Sequence, residues 1–260
     1  ATSHNITVKA TSTNGSFTTH VFSIAVTNLD EVAPTFTSSA TAPAINENSG
    51  AGQVVYTASS TDSTDYVSGN TTYSLKTGLT DDAAQFSIDA ATGKVSLIAN
   101  PNYEAQSGYS FTVVATDAAG NASEQAVSLA INNVNESPTG SATASLADGT
   151  EDTAYTISAT DLLQGFSDVD GDSLSVSGLT ANHGSLVDNH NGTWTFTPAA
   201  NYNGKVNLNY SVTDGTLSVV ATQSFSLVAV NDAPILSGTQ AILTAGTEDT
   251  AYTVKANDLL

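Results

Sequence analysis

One octapeptide occurs twice in this chain. Residues 149–156 read Gly-Thr-Glu-Asp-Thr-Ala-Tyr-Thr and residues 246–253 read the same again, so that Glu248 follows Glu151 by 97 residues. Asp161-Leu162-Leu163 returns at the same distance as Asp258-Leu259-Leu260. Self-similarity at a fixed period is the signature of a tandem array in which each period is one structural unit. Whatever fold the chain adopts must be complete within about 100 residues, an ordinary size for one domain.

Inside each period the apolar residues alternate with polar ones. Tyr109, Phe111, Val113 and Ala115 share one face of a candidate strand while Ser110, Thr112, Val114 and Thr116 share the other. The same rhythm marks Gln53–Ala58, Thr71–Lys76, Gln85–Asp89, Lys94–Ile98 and Gln125–Asn132, with a further strand near Ala40–Ile45. Later it runs through Tyr155 and Ile157, Leu174 and Val176, Trp194 and Phe196, then Val206, Leu208, Tyr210 and Val212. Period-two alternation in short runs separated by Gly, Asn and Asp turns describes an all-β fold of immunoglobulin-like sandwiches joined end to end. Residues 34–136 and 137–232 each hold one whole module. Residues 1–33 hold the last two strands of a preceding one, His4–Ala10 and Thr19–Thr27 around an Asn14-Gly15 turn, and residues 233–260 begin the next. Trp194 alternates with core positions and reads as a core anchor.

Oxygen-bearing side chains crowd the joins. Asn133-Val134-Asn135-Glu136 precedes Pro138, Asn28-Leu29-Asp30-Glu31 precedes Pro34, and Asn231-Asp232 precedes Pro234. About thirty residues past the central join comes Asp168-Val169-Asp170-Gly171-Asp172. Any one of these residues could simply form a turn. Their recurrence points instead to a hard cation such as calcium, which takes six to eight oxygen ligands. The charge balance agrees: 25 Asp and Glu stand against 5 Lys and Arg, a formal net charge of −20. Two carboxylates about 4 Å apart repel by roughly 4 kcal/mol at an effective dielectric near 20, and a cation relieves that repulsion. The same balance argues against nucleic acid or an anionic lipid surface as a partner, since both need basic patches.

With no cysteine there is neither a disulfide framework nor a thiolate site. No apolar run approaches the ~20 residues of a membrane span, and no signal peptide or lipidation motif is visible. Methionine is absent, including at position 1, so the chain reads as an internal piece of something longer; its Thr, Ser, Asn and Gly with few Lys suggest an exported bacterial surface protein.

The first module resembles a cadherin repeat. The resemblance is carried by Ile45-Asn46-Glu47-Asn48, Phe86-Ser87-Ile88-Asp89, Thr92-Gly93-Lys94-Val95, Asn102-Tyr103-Glu104, Ala115-Thr116-Asp117 and the closing Asn133-Val134-Asn135-Glu136. The second module, through Glu151-Asp152, Asp168 to Asp172, Asn201-Tyr202-Asn203-Gly204 and Val212-Thr213-Asp214-Gly215, is similar to the cadherin-like tandem repeats of large, RTX-type bacterial surface adhesins. The resemblance implies calcium between successive modules. At the first join it implies Asn28, Asp30, Glu31, Glu47, Glu104 and Asp117, with Asp62 and Asp65 as a loosely spaced counterpart of the family's paired-aspartate turn. At the central join it implies Asn135, Glu136, Glu151, Asp168, Asp170, Asp172 and Asp214. Asn231, Asp232 and Glu248 would begin a third set. Asn203 stands where the first module has Glu104, which implies fewer or weaker ions.

Competing chemistry finds little support. Asp168 to Asp172 fails as an EF-hand, because Gly171 is fourth and the twelfth position is Leu179. The nonapeptide of calcium β-rolls is missing, and His4, His20, His183 and His190 are scattered. Neither a nucleophile elbow nor a phosphate loop nor an isolated carboxylate pair is present, so catalysis is not expected. The expectation is an extracellular, calcium-stiffened segment of a bacterial adhesin, active in cell adhesion or biofilm attachment, whose first partners are its neighbouring modules. The alternative is a module that recognises a carbohydrate or peptide, with Trp194 as the stacking residue.

Overall fold

A computed structural model of the chain describes residues 2–62, 70–78, 80–234 and 242–258. Asp65, Leu259 and Leu260 lie outside the described residues. The chain divides into two compact units, Ala1–Asn135 and Glu136–Leu260.

In the first unit, β1 (Thr2–Thr11) and β2 (Phe17–Val26) form a two-stranded antiparallel hairpin. Its turn passes through Gly15 at φ 85, a left-handed conformation that glycine adopts without steric cost. Short strands follow: β3 (Thr35–Phe36), β4 (Ile45–Asn46), β5 (Val54–Thr57), β6 (Ser60–Thr61), β7 (Thr72–Leu75), β8 (Phe86–Ile88) and β9 (Lys94–Leu97). The long pair β10 (Gly108–Thr116) and β11 (Ala122–Asn132) completes the unit. One sheet runs β4-β11-β10-β7 and the other β5-β9-β8, with β3 and β6 paired alongside.

Between those sheets lies the core. Phe111, Val113 and Ala115 of β10 are buried together with Val127, Leu129 and Ile131 of β11, and they meet Val55, Tyr56, Val95, Leu97 and Phe86 from the facing sheet. Alternation along β10 is what produces this face, because successive side chains point to opposite sides of a strand. The strand expected over Ala40–Ile45 is shorter than expected. It appears as a single bridge from Thr41 to Ser128 and then as β4, both parallel to β11.

The second unit repeats the plan. Its strands are β12 (Thr139–Gly140), β13 (Gly149–Thr150), β14 (Tyr155–Ser158), β15 (Phe166–Ser167), β16 (Ser175–Ala181), β17 (Gly184–Asp188), β18 (Thr193–Pro198), β19 (Gly204–Thr213) and β20 (Ser218–Val228). Sheets β13-β20-β19-β16 and β14-β18-β17 enclose Val206, Leu208, Tyr210, Val212, Phe225, Leu227, Ile157 and Phe196. Trp194 is half-buried against this cluster, as expected of a core anchor rather than a stacking platform.

A short α-helix interrupts the strands of this unit. α1 (Ala159–Leu163) is capped by Ser158, whose hydroxyl oxygen accepts from the Asp161 N–H at 3.1 Å while its O–H donates to Asp161 Oδ2 at 2.7 Å. Capping of this kind satisfies N–H groups that the first helical turn leaves without partners. The turn drives Leu162 fully into the core, and its carbonyl accepts from the Tyr210 hydroxyl at 2.9 Å.

Phe111 and Val220 stand near opposite ends of the packing, at 1% and 84% exposed. Phe111→Ala is expected to cost about 3–5 kcal/mol, the range for emptying an aromatic core site. Val220→Ala should fall within about 0.5 kcal/mol of the parent, as surface changes do. Urea unfolding of the two variants checks both.

Candidate metal centres

Three strand exits supply the first acidic group. Asp30 follows β2, Asp62 follows β6 and Asp117 follows β10, and each offers a carboxylate oxygen within 4.8 Å of the others. Asp30 and Asp117 are 6% and 7% exposed. Asn121 ties them together: its Nδ2 donates to Asp117 Oδ2 at 2.9 Å and to the Asp30 carbonyl at 2.8 Å, while its N–H donates to Asp117 Oδ1 at 2.8 Å. Burial pushes the Asp117 carboxyl up, but donation from the Asn121 side chain and from the backbone N–H groups of Asn121, Gly120 and Ala119 outweighs it and leaves the value lowered. Asn121 was missed from the sequence; the signal was an amide four residues after Asp117, able to reach back across a tight turn. Asn28 and Glu31 are exposed, two residues before Asp30 and one after it, and Glu31 is not one of the three grouped carboxylates.

Glu47 and Glu104 were expected to join that group and do not. Because β4 runs parallel to β11, with Ile45 opposite Ile131 and Asn46 opposite Asn132, Glu47 arrives where β11 leaves the sandwich. There its Oε1 accepts from the Val134 N–H at 2.8 Å and its Oε2 from the Tyr103 N–H at 2.8 Å. Glu47 is 2% exposed, and Glu104 brings a second carboxylate within 4.8 Å. Asn135 follows, exposed, on the same outgoing segment.

In the second unit, Asp168, Asp170 and Asp172 offer carboxylate oxygens within 4.8 Å of one another. The loop folds on itself: Asp168 Oδ1 accepts from the Asp170 N–H at 3.0 Å, and Gly171 takes φ 79. Asp170 Oδ2 accepts from the Glu136 N–H at 2.9 Å, and a Glu136 carboxylate oxygen comes within 4.8 Å of Asp170. Two oxygens, Asp168 Oδ2 and Asp170 Oδ1, are shut away from solvent without a hydrogen-bond partner. A buried oxygen with no donor is costly. A cation would supply the missing partner, and an all-oxygen donor set is the kind that a hard ion such as calcium takes.

Glu151 and Asp214 were expected in the same group. Glu151 is placed instead by the parallel pairing of β13 with β20, Gly149 opposite Leu227 and Thr150 opposite Val228, which carries it to the departing chain. Its Oε1 accepts from the Val230 N–H at 2.6 Å and its Oε2 from Asn203 Nδ2 at 3.2 Å, and it is 3% exposed. Asp214 closes the turn after β19, accepting from the N–H groups of Thr216 and Leu217 at 2.6 and 2.7 Å. Asn231 and Asp232 are exposed just past Val230, and Glu248 is exposed in its own segment. A shared local turn follows each glutamate: Asn48, Asp152 and Asp249 have φ 56, 54 and 56. Asn and Asp tolerate this left-handed conformation better than other side chains.

Two family models match adjacent stretches, the cadherin domain over residues 42–135 and the cadherin-like domain over residues 134–228. The chain thus carries two cadherin-type β-sandwich modules in tandem. No curated protein matches it. Among solved structures, the human protocadherin-24 EC1-2 fragment superposes with a TM-score of 0.55 at 15% identity, covering 77% of this chain and 100% of that one. Extracellular cadherin domains 1–5 of protocadherin gamma B2 give 0.52 at 19%, covering 88% and 46%. The EC1-4 segment of protocadherin gamma B3 gives 0.52 at 17%, covering 88% and 58%. The chain thus spans about half the length of several cadherin structures that it matches, and the likeness to them concerns the fold. Cadherin domains are extracellular, non-catalytic adhesion modules that bind calcium through acidic residues.

A lowered folded-state value makes the Asp117 contribution to stability present above the ordinary aspartate range and lost as the pH falls through the lowered value. Melting followed from neutral pH down through pH ~4 and below should show a declining acid limb, and Asp117→Asn should shallow it.

Proposed function

We propose that the chain is a calcium-binding, calcium-stiffened spacer of a large bacterial cell-surface adhesin, built from serial cadherin modules and serving attachment of cells to a surface or biofilm. The observation that carries the reading is the Asp168-Asp170-Asp172 loop, with three carboxylates inside 4.8 Å and two solvent-shielded oxygens lacking donors. The composition supports the bacterial assignment: no cysteine, few Lys and Arg, and a net charge of −20. In this reading residues 1–33 close a preceding module and residues 233–260 open a following one, as the repeated Gly-Thr-Glu-Asp-Thr-Ala-Tyr-Thr indicates.

The stiffening follows from what the linker backbone touches within each unit. Val134 N–H is held by Glu47 in the first unit, and Glu136 N–H by Asp170 in the second. Two residues apart, these amides are each fastened to a carboxylate of a cluster. A cation that fixes the carboxylates therefore fixes the linker. Extracellular calcium sites have dissociation constants of roughly 10⁻⁴ to 10⁻³ M. At tenfold excess each site adds about 1.4 kcal/mol by mass action. Several such sites rival the stability of a small domain, so the local calcium level decides whether the spacer is firm.

Chelation should lower the melting temperature and open residues 133–138 to limited proteolysis. An unchanged melting curve together with an uncut linker would sink the proposal. Asp170→Asn provides a sharper check, because it keeps an oxygen acceptor for Glu136 N–H while removing charge. The variant is expected to melt no lower than the parent in chelator yet to gain less on adding calcium.

A further inference from the structure

We propose that Asn203-Gly204 is a site of spontaneous deamidation whose product supplies a carboxylate beside Glu151. Three Asn-Gly sequences occur in the chain, Asn14-Gly15, Asn191-Gly192 and Asn203-Gly204. A glycine after asparagine favours the reaction because its backbone nitrogen reaches the side-chain Cγ without a side chain of its own in the way. The local structures of the three differ.

Asn14 and Asn191 are pinned in tight hairpin turns. Asn14 Oδ1 accepts from the N–H and the hydroxyl of Ser16 at 3.1 and 2.7 Å, and Asn191 Oδ1 from the N–H and hydroxyl of Thr193 at 3.2 and 2.7 Å. Asn203 is exposed and lies just outside β19, of which Gly204 is the first residue, so attack on its side chain requires only fraying of a strand end. Gly204 has φ 127, in the region that glycine adopts without steric cost, and it carries no side chain to stand beside its own backbone nitrogen. The nitrogen that must leave, Asn203 Nδ2, donates to Glu151 Oε2 at 3.2 Å. Glu151 Oε2 therefore lies beside the nitrogen that departs as ammonia.

The reaction needs only water. Gly204 N bonds to Asn203 Cγ as the Cγ–Nδ2 bond breaks, and Nδ2 leaves as ammonia, taking up the proton that Gly204 N releases. Water then opens the resulting succinimide at either carbonyl to give aspartate or isoaspartate. The consequence for Glu151 rests on the calcium reading above. Glu47, its counterpart in the first unit, has a second carboxylate, Glu104, within 4.8 Å, whereas Glu151 has the Asn203 amide. Deamidation replaces a donor by a second acid. The contact changes from one that holds without an ion into one that repels unless an ion is present.

The full chain would be aged in mildly alkaline, chelator-containing buffer and its peptides followed by mass spectrometry for conversion of amide to acid. Asn203 is expected to convert ahead of Asn14 and Asn191; its survival after those two have converted would overturn the modification. Asn203→Asp, which carries the product, is then compared by equilibrium dialysis with Asn203→Gln, which keeps the donor. The Asp variant should take up additional calcium, and equal uptake would overturn the ligand role. Lack of any uptake by either variant would defeat the calcium reading and the ligand role with it, while the mass measurement, which involves no calcium, judges the modification separately.

Discussion

The parallel pairing of a very short early strand with the last strand of its module governs how chemistry is arranged in each unit. β4 on β11 and β13 on β20 are only two residues long, yet they carry a glutamate from near the start of the module to the point where the chain departs. Antiparallel pairing would have sent the same residue back toward the other end. Once delivered, Glu47 and Glu151 are shut from solvent and accept a main-chain N–H from the departing segment. A charge in such a place is tolerated only with donors around it. The sandwich and the segment that leaves it are thereby coupled through a single carboxylate.

Much of this architecture was legible before any coordinates. The faces of β10 and β19 read directly from alternation: Phe111, Val113 and Ala115, and Val206, Leu208, Tyr210 and Val212, are buried, while Tyr109 is half-buried at the start of β10. The Asp168-Asp170-Asp172 loop was equally plain, because a local cluster needs no knowledge of long-range pairing. The misplacements share one cause. Glu47, which the resemblance grouped with Asp30, and Glu151, which it grouped with Asp168, are carried to the departing chain by β4 and β13. A two-residue strand carries too little pattern to announce whether its partner runs with it or against it. α1 was hidden for a different reason: five residues cannot display helical periodicity, although Ser158 three residues before Asp161 is a capping spacing.

Core and acidic sites divide the labour. With no cysteine to cross-link the chain, the stability of each sandwich rests on apolar packing around residues such as Phe111 and Leu208. The acids gather at loops and strand exits, where Asp30, Asp117, Glu47 and Glu151 are nevertheless shielded from water. Hydrogen bonds from amides satisfy individual oxygens without cancelling the net charge. The two units differ in how much charge is left over, since Glu47 faces Glu104 and Glu151 faces an amide. One fold can therefore carry ends of different ionic demand by exchanging a single side chain.

The groups that Glu47 and Glu151 seize on the departing chain are main-chain N–H groups, not side chains, and the side chains of Val134 and Val230 remain 38% and 50% exposed. Positions 134 and 230 are consequently free to drift among almost all amino acids without loosening the grip. Proline alone, having no N–H to give, is barred. An alignment of related modules would record these sites as variable, and the contact that holds the departing strand would pass unnoticed to anyone who looks for it in conserved letters.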